Sequence, residues 1–166
     1  MIKHYLKTLF MMLLVSSLAA GLTNCGFHLR GAADVAFSSI FIQGNTLVIS
    51  KKLVKSLNTN GVKVLPAAEG AELLLEMVGE ESEKRILSLG GAGTVNEFEL
   101  FYRVHYRTKR AGDELWSNTQ TVESRRDFTY SDANLLAKQG EEKRLFENMQ
   151  DDVLSNMMRR LSSLKK

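Results

Sequence analysis

The 166-residue chain has a single cysteine and a single proline. One thiol cannot close a disulfide within the chain, and a free thiol in an oxidising compartment is a liability that needs a reason. One proline and no Ser/Gly-rich run leave no linker signature. There is no G-x-S-x-G elbow. Gly90-Gly-Ala-Gly93 lacks both the G-x-G-x-x-G spacing and a following Lys-Ser/Thr, so it reads as a flexible connector and not as a phosphate cradle. Beyond residue 24 only two histidines occur, His28 and His105, and neither has a third group at metal-ligand spacing. Adjacent acids such as Glu80-Glu81, Glu141-Glu142 and Asp151-Asp152 diverge on a strand or helix and make no acid–base pair. These absences argue against an enzyme and against a resident metal or cofactor.

What is present begins at the amino terminus. A short positive segment carrying Lys3 and Lys7 precedes an uncharged apolar run, Leu9 to Leu22. Its fourteen residues would span about 21 Å as a helix at ~1.5 Å each, short of a ~30 Å hydrocarbon core. The pattern predicts a cleaved signal peptide over residues 1–24. The run ends in Leu22-Thr23-Asn24-Cys25, which has a lipobox's aliphatic residue three before the cysteine, with Asn24 where a smaller residue is usual. Lipidation at Cys25 accounts for the lone thiol, because the sulfur becomes a thioether to diacylglycerol. Each buried CH₂ contributes roughly 0.8 kcal/mol, and several acyl chains together make a stable anchor. Gly26 follows, and not the aspartate that retains enteric lipoproteins at the inner membrane, so the outer membrane is the expected destination.

The chain's formal net charge is +3, from 22 Lys+Arg and 19 Asp+Glu. The leader holds two of the bases and none of the acids, which leaves 20 against 19 and a net charge of +1 from Cys25 onward. Overall charge therefore says little about partners, and any electrostatic signal must lie in local clusters.

Residues 25–166 read as one domain. Ile40-Phe41-Ile42 suggests a short strand. Ser50 to Asn60-Gly61 suggests an amphipathic helix with Ser50 as N-cap and Asn60-Gly61 as stop. Residues 71–87 begin apolar and end charged, a strand running from core to solvent. Over 95–108, Phe98, Leu100, Tyr102, Val104 and Tyr106 alternate with Glu97, Glu99, Arg103, His105 and Arg107, interrupted by Phe101. That period of two predicts a long, half-buried antiparallel strand. Lys109–Asp113 would turn it and 114–128 return it. Leu145, Phe146, Met149, Val153, Leu154, Met157, Leu161 and Leu164 then mark a long helix over 139–163, with the methionines as core filling. The predicted order is β-α-β-β-β-α. The fold class is α/β, a two-layer sandwich of a mostly antiparallel four-stranded sheet, covered on one face by two helices.

Cys25-Gly-Phe-His-Leu-Arg-Gly31 directly after the lipobox resembles the start of the lipopolysaccharide-assembly lipoprotein family LptE. Asn60-Gly61-Val62, Ala137-Lys138 before Glu141-Glu142, and Met149…Asp152…Arg159-Arg160-Leu161 extend the resemblance along the chain. It implies a lipid-anchored protein on the periplasmic side of a Gram-negative outer membrane that plugs the LptD β-barrel. Such a protein assists barrel assembly and takes part in inserting lipopolysaccharide. The alternative is an unrelated periplasmic lipoprotein serving as auxiliary subunit of an envelope transporter.

Lipopolysaccharide sets phosphates beside acyl chains, so its binder should place Arg or Lys near a partly apolar face. The candidates are Lys84-Arg85, Arg103 with Arg107, Arg125-Arg126, and Lys138, the last matching the Ala-Lys pair of the resemblance. Arginine can bond phosphate in bidentate fashion, whereas lysine supplies a compact charge. A nucleic-acid partner is not expected. The tyrosines beside Arg103, His105 and Arg107 alternate onto the core face and cannot stack bases.

Overall fold

The computed structural model describes residues 35–164, apart from Ala92. The leader, Cys25, His28 and the Cys25–Gly31 segment lie outside the described residues. The elements are β1 (Ser39–Gly44), α1 (Val48–Thr59), β2 (Lys63–Leu65), β3 (Leu73–Leu89), β4 (Val95–Arg110), β5 (Gln120–Thr129), a 3₁₀ turn (Asp132–Asn134) and α2 (Leu135–Ser162).

The strands form one five-stranded sheet in the order β2-β1-β3-β4-β5. β1 runs parallel to both β2 and β3, whereas β3, β4 and β5 form an antiparallel meander. The expectation of four mostly antiparallel strands is therefore corrected to a mixed sheet of five. The additional strand, β2, is three residues long, too short to display an alternation. Its parallel pairing depends on α1 carrying the chain back over the sheet, as parallel neighbours require.

α1 buries Ile49, Leu53 and Leu57, four residues apart, against the sheet. It starts two residues before Ser50, whose hydroxyl accepts the Leu47 N–H from within the first turn at 3.1 Å. Asn60 and Gly61 end it as expected, and Gly61 takes the left-handed φ of +79° that a glycine tolerates. β4 buries Leu100, Tyr102, Val104 and Tyr106 on the helix-covered side, in keeping with its alternation. It runs on to Arg110, so the turn follows at Ala111-Gly112. β5 starts only at Gln120. The segment before it keeps isolated bonds to β4, such as the Ser117 N–H to the Thr108 carbonyl at 2.8 Å.

β3 carries a bulge between Met77 and Gly79, which reverses the phase of its alternation. Leu73, Leu75 and Met77 point into the core before it. After it, Glu80, Ser82, Lys84 and Ile86 take the same side, paired with Val104, Tyr102, Leu100 and Phe98. Met149, Val153, Met157, Met158 and Leu161 seat the second half of α2 on the sheet. None of the fourteen residues from Leu135 to Asn148 is fully buried; Leu145 and Phe146 still pack against the core, and Glu142 reaches Lys84 on the outer part of β3.

Candidate functional site

Period two along a strand separates sequence neighbours onto opposite faces, and this decides where the candidate cations lie. Lys84 and Arg126 both pair with Leu100 and share its helix-covered side; Arg85 pairs with Glu99, and Arg125 with Phe101, on the open side. The runs Lys84-Arg85 and Arg125-Arg126 are thus not clusters. Each contributes one cation to each face.

The open-face group surrounds Phe101. Its ring, only 7% exposed, lies 4.6 Å from the Arg103 guanidinium, 4.7 Å from that of Arg85 and 5.9 Å from that of Arg125. The residue that interrupts the alternation of β4 is therefore buried beneath arginines. Each is also matched by acid. Arg85 bonds Glu83 through two nitrogens, at 2.5 and 2.8 Å. Arg103 bonds Glu83 at 3.0 Å and also Glu123, and Arg125 pairs with Glu99 at 2.7 Å. These donors, Arg85 first and then Arg103, hold the Glu83 carboxyl below the usual carboxylate range. Arg107, farther along, pairs with Glu76 and lies 5.2 Å from the Trp116 ring, beside a cleft of about 290 Å³ lined also by Gly44, Asn45 and Thr119. Such a lattice is largely self-compensated.

The helix-side group is different. The Lys84 ammonium sits 4.1 Å from the Phe98 ring centroid and within 6 Å of Phe128 and Tyr130, and pairs with Glu142 of α2 at 2.6 Å. Glu142 stands one helical turn from Lys138, which pairs with Glu141 at 2.8 Å. β3, β4 and α2 thus bring together two lysines distant in sequence. Apolar side chains lie exposed at the same end: Ile86, Leu87 and Leu89 on β3, and Leu135 and Leu136 opening α2. These five were not singled out from the sequence, although an apolar Ile-Leu-x-Leu following the charged run 80–85 is a visible signal of them. Arg126 reaches α2 as well, pairing with Asp152, but farther along the helix. At the hairpin turn between β3 and β4 the Gly93 N–H donates to the Gly90 carbonyl at 3.0 Å.

Among the described residues, no group of three or more His, Cys, Asp or Glu side chains could hold a metal ion. Likewise no helix among them is long and apolar enough to cross a membrane.

A family model described as LptE, lipopolysaccharide-assembly, matches residues 37–161. No curated protein matches the chain. The solution structure of an uncharacterized lipoprotein B from Nitrosomonas europaea is similar at a TM-score of 0.73 and 35% identity, covering 83% of this chain and 91% of that one. The rare lipoprotein B of Shewanella oneidensis is similar at 0.62 and 26% identity, covering 72% and 92%. A minor lipoprotein from Acinetobacter baumannii reaches 0.62 at 16% identity, covering 78% and 93%, and shares the fold.

Proposed function

The chain belongs to the lipopolysaccharide-assembly family LptE, and on that premise we propose that it is an outer-membrane lipoprotein, anchored through Cys25, that plugs the LptD β-barrel, assists its assembly and takes part in passing lipopolysaccharide to the outer leaflet. The role is one of binding, with no bond made or broken by the chain itself.

The observation that carries the lipopolysaccharide part is the pairing of Lys84 with Glu142, one helical turn from Lys138, at the end of the molecule where Ile86, Leu89 and Leu135 are exposed. Lipopolysaccharide needs cations for its phosphates and an apolar surface for its acyl chains, and this end of the molecule offers both. The lysines are held by Glu142 and Glu141 in half-buried ion pairs, and breaking one such pair costs on the order of 1 kcal/mol. A multiply charged phosphate can displace a carboxylate at that cost. Arg85 and Arg125, matched on the open face by Glu83 and Glu99, and Arg126, tied to Asp152, are the weaker candidates.

Affinity purification from solubilised outer membrane tests the whole reading. The chain should bring down one large β-barrel, and its depletion should lower both folded barrel and surface lipopolysaccharide. Co-purification with an inner-membrane transporter would support the auxiliary-subunit alternative instead. Lys84→Glu with Lys138→Glu should weaken binding of purified lipopolysaccharide about tenfold or more while the barrel complex persists. Unchanged binding would remove the site from the proposal.

A further inference from the structure

Among the described residues the sheet ends at β5, with no strand on its far side. In an antiparallel ladder, alternate residues turn both N–H and C=O away from the neighbouring strand. The Tyr130 N–H donates to the Asn96 carbonyl on the β4 side at 2.7 Å, and this sets the phase. Even-numbered residues face β4, so Thr121, Glu123, Arg125 and Asp127 present their backbone groups outward. All four residues are exposed. A ten-residue edge strand of this kind is a template for another chain.

Two of its outward carbonyls are occupied by side chains. Arg160, from α2, donates to the Thr121 carbonyl at 2.9 Å. Arg126 donates to the Arg125 carbonyl at 2.7 Å and is itself tied to Asp152 of α2. Both guanidiniums thus stand where an incoming strand would place its N–H groups. The other edge of the sheet, β2, has only three residues and is protected by its shortness.

We infer that the β5 edge is a strand-addition surface held shut by Arg126 and Arg160, and that the strand it accepts when opened is β5 of a second copy, antiparallel about Ser124. The register follows from charge. Centring on Ser124 sets Glu123 opposite Arg125 twice over and Thr121 opposite Asp127, with outward-facing residues meeting each other. Moving the centre by one residue either way sets Glu123 against Glu123 or Arg125 against Arg125, which like-charge repulsion disfavours.

The test uses the full chain in detergent, with protein molar mass read by light scattering over a range of concentrations. Methionine keeps the aliphatic stem of each arginine and removes the donors. Arg126→Met with Arg160→Met should move the mass from that of one chain toward two as concentration rises. Adding Glu123→Pro, which removes an outward N–H and keeps the backbone bonds to β4 while giving up the surface pair with Arg103, should return it to one. A folded double variant that stays at one mass overturns the inference. So does a dimer that survives Glu123→Pro, or an unsubstituted chain already dimeric in a Glu123→Pro-sensitive way. Should circular dichroism show the double variant unfolded, Arg160→Met is read alone, which frees the Thr121 carbonyl and leaves Arg126 on that of Arg125. It should shift the mass part of the way toward two in a Glu123→Pro-sensitive manner, and no shift at any concentration overturns the inference.

Discussion

The Tyr102 hydroxyl donates to Glu80 at 2.5 Å, and the other oxygen of that carboxylate accepts the Val48 N–H, the first of α1, at 2.7 Å. One side chain thereby joins the fully buried tyrosine of β4 to the start of a helix on the far side of β3. Burial first, and the neighbouring carboxylate second, push the Tyr102 phenol up, so it stays a neutral donor at every physiological pH.

Tyr102→Phe should lower stability by about 1–2 kcal/mol, since the ring still packs but one carboxylate oxygen loses its donor. Glu80→Gln should cost a similar amount, because a single amide oxygen cannot serve both donors equally. The double variant should lose clearly less than the two losses added together. Urea unfolding followed by circular dichroism measures all three, and strict additivity would show that the two residues do not act as one unit.

Gly44 ends β1 with a φ of +93°, and a Cβ there would fall 2.4 Å from the Met77 carbonyl oxygen, at the edge of the β3 bulge. Gly61 has a similar φ of +79°, but nothing within 4 Å of an added Cβ. Gly61→Ala should therefore cost about 1–2 kcal/mol from backbone strain alone. Gly44→Ala should cost more than that, because strand and bulge must also separate. Equal midpoints for the two variants in the same urea titration would refute the close-approach argument.

The open-face lattice sets an acid-side pH dependence. Glu83 is held below the usual carboxylate range by Arg85 and Arg103, so folding favours its ionised form. That contribution is complete above the unfolded pKa of about 4.3 and is lost as pH falls through the lower folded value. The thermal midpoint of the native chain should accordingly decline more steeply below about pH 4.3 than that of Glu83→Gln, with the two curves closing toward low pH. Because Glu83 lies at the surface, the difference should be small and should shrink further in 1 M salt. Parallel curves over that range would remove Glu83 as a source of the dependence.

The local elements were legible in the chain itself. Leu53, Val54 and Leu57 share one helical face, Leu100 to Tyr106 alternate at two, and Met149 to Leu161 follow helical steps. Each pattern states which side of its own element is apolar, so two helices on one face of a sheet followed directly. Nothing local distinguishes parallel from antiparallel neighbours, and three residues cannot display a period, so β2 and the mixed order β2-β1-β3-β4-β5 were decided by tertiary packing. The same holds for the candidate site. Lys84 and Lys138 were each visible as cations, but their convergence through Glu142 and Glu141 needed β3 and α2 laid side by side. Arg85 and Arg125, next to Lys84 and Arg126 in the sequence, went to the other face because a strand turns each successive residue through half a circle. Residue identity determined which groups could bind an anion; the three-dimensional fold decided which of them share a surface, since proximity across strands is set by register and not by distance along the chain.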